Sequence, residues 1–287
     1  MKKTLQWAIE ALKNEGIETA RLDAEVLLSH ATNKDRAYIY ANPDIPIDKR
    51  KVLYYKALIN ERLLHKPVSY ITGHKEFMSM DFKVDGNALI PRPETELIVE
   101  AVCNSGEEIG KILELGTGSG AIAISLAKYN PDWHIIATDI SMQALLIAKD
   151  NALYHGVAER IRFIQTDLFD GLKYKFDLVI SNPPYIPTGD LDSLSMDVKN
   201  YEPLLALDGG TDGLRIIKRI INGSNSVLEP NGLLVIEIGF GQIGDVIGLA
   251  DNIGLYSDYK VVNDYSGIPR IFCCRHKLMN NMTFSVI

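Results

Sequence analysis

The chain has 287 residues, 46% of them hydrophobic and 23% charged, with a formal net charge of −7. These are the proportions of an ordinary globular protein, which excludes a disordered or fibrous chain, and the absence of any run of roughly eighteen apolar residues excludes a membrane-spanning helix. Residues 1–72 hold 12 Lys+Arg against 9 Asp+Glu, or +3, so the remainder carries 18 against 28, or −10; an acidic body of this kind argues against capture of duplex DNA through many phosphate contacts.

Residues 1–72 read as helices. Thr4 is expected to cap a helix that carries Leu5, Ala8, Ile9 and Leu12 on one face and ends near Gly16. Ala24, Leu27, Leu28 and Ala31 repeat the spacing, and Asp48 caps a longer helix with Val52, Tyr55, Ile59 and Leu63 on one side. From 73 to 91 the pattern shortens: Phe77, Met80, Phe82 and Val84 predict a hairpin or extended connector, with Asp85-Gly86 as its turn. Pro93 then opens a helix whose positive end is favoured by Glu94 and Glu96.

Beyond this point strands and helices alternate, the pattern of a doubly wound parallel α/β sheet. The expected strands are 111–115, 134–139, 161–166, 176–181, 232–238, 258–263 and 269–274, and residues 278–287 read as a loose tail. Cys103, Cys273 and Cys274 form neither a disulfide framework nor a zinc spacing, which predicts buried thiols in a reduced, cytoplasmic protein. Near the amino terminus Glu10 and Lys13 interrupt any secretory apolar region.

The first strand of this alternation runs into Gly116-Thr117-Gly118-Ser119-Gly120 and an apolar helix from Ala121 to Tyr129. Glycines there permit a tight turn and a close approach of backbone to ligand. Gly116, Gly118 and Ala121 satisfy the dinucleotide fingerprint, and Asp139, at the end of the next strand, is placed to bind ribose hydroxyls. Those residues suit a nicotinamide dinucleotide or S-adenosylmethionine. The spacing of Glu114, Gly116, Gly118 and Gly120 resembles the S-adenosylmethionine loop of class I methyltransferases. Thr166-Asp167-Leu168 follows the third strand, where Asp167 and Leu168 are candidates for the edge and face of an adenine.

The fourth strand, Phe176 to Ser181, delivers Asn182-Pro183-Pro184-Tyr185 to the carboxyl edge of the sheet. The prolines fix φ, remove backbone donors and extend the residues before them. A planar –NH2 group fits this corner: Asn182 Oδ1 and the Pro183 carbonyl each accept one proton, with Tyr185 packed nearby. The long segment 200–214 is a candidate substrate-facing loop, with Glu202 its most plausible site residue.

These motifs, with Tyr70-Ile71-Thr72-Gly73, Glu76-Phe77, Ile90-Pro91-Arg92-Pro93-Glu94-Thr95-Glu96 and Tyr201-Glu202-Pro203, resemble the protein-(glutamine-N(5)) methyltransferases that modify peptide chain release factors, the PrmC/HemK family. The resemblance covers nearly the whole chain, although many relatives carry Trp where Leu168 stands. It implies a class I methyltransferase fold, Rossmann-like with a seven-stranded, mostly parallel sheet, and a small amino-terminal helical domain. The implied layout is a substrate-recognition domain at 1–72, a connector at 73–91 and a catalytic domain at 92–277. S-adenosyl-L-methionine is the implied cofactor, yielding S-adenosyl-L-homocysteine and held by Gly116, Thr117, Gly118, Ser119, Gly120, Asp139, Leu168 and Asn182. Asn182, Pro183, Pro184 and Tyr185 are the implied catalytic residues. The implied acceptor is the glutamine of a Gly-Gly-Gln motif in class 1 release factors, met by a monomer that binds neither membrane nor, stably, nucleic acid. An adenine exocyclic-amine methyltransferase and a non-catalytic cofactor-binding module are the competing readings. The roles of Asp167, Glu202 and Arg92 stay open.

Overall fold

A computed structural model describes residues 1–277, so the expected tail lies outside the described residues. The chain divides into two compact units: residues 1–74 with 84–86 and 194–202 form one, and 75–83, 87–193 and the described residues from 203 onward the other.

The first unit contains α1 (Lys2–Asn14), α2 (Ala20–Thr32), α3 (Arg36–Ala41), α4 (Lys49–Leu63) and α5 (Val68–Thr72). The expected stripes are the ones it buries: Ala8, Ile9 and Leu12 meet Ala24, Leu27, Leu28, Tyr55 and Ile59 in one core. Asp48 caps α4 by accepting from Arg50 N at 2.8 Å. Thr4 does not cap α1. It sits inside the helix, because Met1 supplies the carbonyl for Thr4 N and Leu5 N, and Lys2 N is anchored on the Pro43 carbonyl (2.8 Å). Two buried carboxylates are paired as burial requires: Asp23 with Arg62 at 2.7 Å, and Glu25 with Arg21, Arg36 and Tyr40.

The second unit opens with the hairpin β1 (His74–Phe77) and β2 (Met80–Lys83), of which His74 is counted with the helical unit. Its turn is Met78-Ser79, not Asp85-Gly86. Both turn residues take positive φ (+50° and +57°), an uncommon conformation for residues with a Cβ. They hold it because Met78 N donates to Glu96 Oε1 at 2.6 Å while Phe77 and Phe82 are buried edge-to-face on either side. A 3-10 turn, Pro93–Thr95, leads into α6 (Glu96–Cys103).

The elements that follow are β3 (Lys111–Leu115), α7 (Ala121–Tyr129), β4 (His134–Asp139), α8 (Met142–Tyr154), β5 (Ile161–Gln165) and β6 (Phe176–Ser181). The helix α9 (Met196–Tyr201) belongs to the helical unit, where the Tyr201 hydroxyl donates to the Leu64 carbonyl at 2.7 Å. The chain then continues through α10 (Arg215–Ser224), β7 (Leu228–Glu237), α11 (Ile243–Ile253), β8 (Tyr256–Asn263) and β9 (Pro269–His276).

The seven-stranded sheet has the order β5-β4-β3-β6-β7-β9-β8, parallel except for β9, which runs against both of its neighbours. Its central strands β3 and β6 are buried at nearly every position because both faces are covered, whereas the edge strands β5 and β8 are only partly buried. Ile112, Leu178, Ile180 and Val235 face one core, and Leu113, Val179, Leu234 and Ile236 the other, as the two-residue strand period demands. No helix among the described residues is long and apolar enough to cross a membrane.

Candidate active site

Register places the site. Leu115 of β3 lies opposite Ser181 of β6, so the next residues, Gly116 and Asn182, leave the sheet side by side. The Ser181 hydroxyl donates to the Leu115 carbonyl at 2.8 Å and ties the two strand ends together. From β3 the sheet continues to β4 and β5 on one side and to β6 and β7 on the other, the switch point where open α/β sheets form their ligand crevice. A cavity of about 390 Å³ opens there, a size suited to a small-molecule cofactor.

One wall is the glycine turn. Gly116, Thr117, Gly118 and Ser119 line the cavity, with Asp139 and Leu168. The turn is held from outside: Thr117 N donates to the Thr138 carbonyl (2.9 Å), and Asn151 Nδ2 donates to the Ser119 carbonyl (2.9 Å). Gly120 is off the wall and acts by packing. Its φ is +84°, and a Cβ there would sit 2.9 Å from Ile124 Cδ1 and 3.1 Å from Ala148 Cβ.

Asp139 is oriented by backbone. Gly118 N donates to Oδ2 and Ser141 N to Oδ1, each at 2.9 Å, while burial raises its pKa. A carboxylate oxygen accepts more than one hydrogen bond, so both remain usable by ribose hydroxyls. Leu168 has φ +51°, and Asp167 forms a 2.9 Å ion pair with Arg219, another lining residue. Glu114 is 1% exposed; Oε2 accepts from the Thr117 hydroxyl at 2.6 Å and Oε1 has no hydrogen-bond partner among the described residues. Burial pushes its carboxyl up to about 7.

The facing wall is the proline corner. Asn182, Pro183 and Pro184 line the cavity, and Asn182 Nδ2 donates to Thr95 Oγ1 at 3.0 Å. Tyr185 is off the wall. It packs against the second core, donates to Glu237 Oε1 at 3.1 Å and accepts from Gln242 Nε2 on its carbonyl at 2.9 Å. Burial, with Glu237 beside it, pushes the phenol up. Gly213, at φ +73°, passes so close to the Tyr185 carbonyl that any Cβ would collide with it. Segment 203–208 returns to this wall through Ile186 N to the Leu207 carbonyl (3.1 Å), putting Pro203, Leu205, Ala206 and Asp208 on the lining. Glu202 is buried in the helical unit and, like Arg92, is not a lining residue.

Several residues of this site escape sequence reasoning. Asn87, Ala88 and Leu89 line the cavity from a stretch read as connector. Asn151 looks like any helix-surface amide, and Gly213 like any loop glycine. Thr95 was visible only as part of the Pro-Arg-Pro-Glu-Thr-Glu run. Glu237 did carry a signal, a single carboxylate ending the apolar run Leu233-Leu234-Val235-Ile236, because an acid in a central strand demands partners.

Comparison with known proteins agrees with this geometry. Residues 3–73 match the PrmC N-terminal domain and residues 93–196 the methyltransferase small domain. The chain is 39% identical over 272 residues to the release factor glutamine methyltransferase of Geobacter sulfurreducens, covering 94% of this chain and 95% of that one. It belongs to the release factor glutamine methyltransferase family. The Moorella thermoacetica member is 42% identical over 275 residues, covering 95% of this chain and 97% of its own. Among solved structures, a methyltransferase from Pyrococcus furiosus (TM-score 0.53, 18% identity, 76% of this chain and 98% of that one) shares the fold. So does the hMettl16 catalytic domain (TM-score 0.58, 15% identity, 85% and 93%).

The wall suits the cofactor of such methyltransferases, S-adenosylmethionine. Glu114 Oε1 is a buried acceptor with no hydrogen-bond partner among the described residues, which suits a cationic ligand. Asp139 has its acceptors fixed for a diol, and Ile122, Ile140, Ala144 and Leu168 provide apolar surface for a base.

Proposed function

We propose that this chain transfers a methyl group from S-adenosyl-L-methionine to the side-chain amide nitrogen of the glutamine in the Gly-Gly-Gln motif of class 1 peptide chain release factors. One observation carries the reading: Gly116 and Asn182 leave neighbouring, paired strand ends into the same cavity. S-adenosylmethionine, when bound, supplies the electrophilic methyl carbon. Gly116, Thr117, Gly118 and Ser119 would hold it with Asp139 and Leu168, while Gly120 shapes the turn.

The protein's own work is at the acceptor. An amide nitrogen is a poor nucleophile because its lone pair is delocalised into the carbonyl. Asn182 Oδ1, left available because Nδ2 is tied to Thr95, and the Pro183 carbonyl would each accept one proton of the –NH2 group, drawing electron density onto nitrogen. Their rigidity comes from the prolines and from the anchors on Tyr185. Alignment of two bound reactants contributes up to about 7–11 kcal/mol in favourable cases, and the apolar surround strengthens both hydrogen bonds by excluding water. Residues 1–72 would recognise the release factor, 73–91 would connect, and 92–277 would carry catalysis, in a cytoplasmic monomer that retains no nucleic acid.

Incubation with methyl-labelled S-adenosylmethionine and purified class 1 release factor, or nucleic acid instead, tests the reading. Label on the Gly-Gly-Gln glutamine is expected. Label confined to nucleic acid would transfer the assignment to an adenine amine, and binding without transfer would reduce the chain to a cofactor-binding module.

A further inference from the structure

Behind Asn182 the bond to Thr95 continues into a longer chain of hydrogen bonds, whose link from Thr95 to Glu237 the reaction, as described, does not use. Asn182 Nδ2 donates to Thr95 Oγ1 (3.0 Å), and Thr95 Oγ1 donates to Glu237 Oε2 (2.8 Å). The Tyr185 hydroxyl donates to the other oxygen of Glu237 (3.1 Å). Thr95 is 4% exposed and Glu237 1%, so neither exchanges its partner for water. Thr95 lines the cavity, whereas Glu237 does not.

With Glu237 ionised, the order of donors and acceptors along this chain has only one consistent direction. A threonine hydroxyl carries a single proton and two lone pairs. With that proton given to Glu237, Thr95 can only accept from Asn182. The two ends of the Asn182 carboxamide are nearly identical in shape, so packing alone does not choose between them. The flipped amide would set Oδ1 against the lone pairs of Thr95, whose proton is already committed, and would turn an –NH2 group toward the acceptor amine, donor against donor. A carboxyl protonated on Oε2 would instead donate to Thr95 Oγ1 and free the threonine proton for the flipped amide, so the stated direction is that of the ionised carboxylate.

We propose that Thr95 and Glu237 are positioning residues that set the polarity of the Asn182 carboxamide, Glu237 orienting the Thr95 hydroxyl and Thr95 holding the amide nitrogen so that Oδ1 faces the acceptor. This rests on the glutamine methyltransferase reading above. It adds residues 95 and 237, separated from the proline corner by 87 and 52 positions, to the machinery that selects an amine rather than a carbonyl as the group bound.

The test compares wild type, T95V, T95S and E237M, each with S-adenosylmethionine and purified class 1 release factor. It measures kcat, KM for the release factor, affinity for S-adenosylhomocysteine, and solvent exchange of the Asn182 side-chain amide protons by NMR. T95V should lower kcat by about a hundredfold, the scale of a misoriented reacting group. Its KM and cofactor affinity should stay close to wild type, and the Asn182 amide should exchange fast. T95S should recover most of the turnover and the slow exchange. E237M keeps the length of the side chain and removes a buried carboxyl, so it guards against a T95V chain that fails to fold. It should lower kcat although Thr95 is intact. Wild-type kcat in T95V or E237M overturns the proposal, as does a loss in T95S equal to that in T95V. If the wild-type chain methylates no release-factor glutamine, the proposed function fails instead, and slow Asn182 exchange lost in both T95V and E237M decides the relay independently.

Discussion

The two walls of the cavity are built on opposite plans. On the glycine side the partners come from one continuous stretch, β3 to α8: Glu114 and Thr117 hold each other, Asp139 is fixed by the backbone of Gly118 and Ser141, and Thr138 and Asn151 hold the turn. On the proline side, Asn182 and Tyr185 are held by side chains from distant segments, Thr95, Glu237 and Gln242, with Gly213 making room. A wall of the first kind is complete once β3, β4 and α8 have packed together. A wall of the second kind exists only once the sheet has assembled, and it fails if any one distant partner is lost. Loss of a cofactor-side contact should therefore weaken binding by a graded amount, while loss of an acceptor-side contact should strike turnover.

The largest effect expected is that of N182A. It should reduce kcat by at least about a thousandfold, comparable to deleting a preorganised polar group at a reacting centre, while the dissociation constant for S-adenosylhomocysteine stays near wild type. Retained turnover would remove the assigned role from the proline corner. D139A should do the reverse, weakening cofactor binding by roughly ten- to a hundredfold, since hydrogen bonds to a charged group are worth about 1.5–3 kcal/mol. An unchanged dissociation constant by titration calorimetry would show that Asp139 does not hold the ribose.

A pair of glycine substitutions sharpens the contrast further. G120A and G213A each introduce a Cβ into occupied space at positive φ, and each should cost about 1–3 kcal/mol of stability through overpacking, read as a lower melting temperature. In whatever remains folded, G120A should raise the cofactor dissociation constant and G213A should lower kcat. Equal damage to both parameters in both variants would mean that the walls are not independent.

The smallest effect concerns pH. Glu114, on the glycine side, and Glu237, behind the proline corner, are both pushed from 4.5 up to about 7 by burial. Each binds its proton more tightly in the folded chain than in the unfolded one. Their contribution to stability is thus complete below about pH 4.5 and is lost as the pH rises to about 7. Across that window the melting temperature should show a downward component of a few degrees, reduced in E114Q and in E237Q. A cationic cofactor should reduce the Glu114 part and leave the Glu237 part, which a melting series with and without S-adenosylmethionine resolves.

The legible part of the molecule was the part built from near neighbours. The glycine turn, Asp139 after the second strand of the sheet and the proline corner after β6 were each readable because strand, turn and side chain lie within a few residues. Helical stripes such as Ala24, Leu27, Leu28 and Ala31 were readable because a repeat near 3.6 residues leaves one buried face. The misreadings all came from long-range competition. Thr4 lost the capping position to Met1, once Lys2 was anchored on Pro43. The Asp85-Gly86 turn lost to Met78-Ser79, where burial of two phenylalanines and a bond from Met78 N to Glu96 outweighed two unfavourable φ values.

By itself the sequence determined the alternation of strands and helices, the two motifs at the strand ends and hence the class of chemistry, because backbone conformation at glycine and proline is a local property. Only the tertiary structure decided that Leu115 pairs with Ser181 and that Thr95 and Glu237 stand behind Asn182. Strand register and buried hydrogen-bond partners are settled by which surfaces pack together, and no short stretch of chain contains that information.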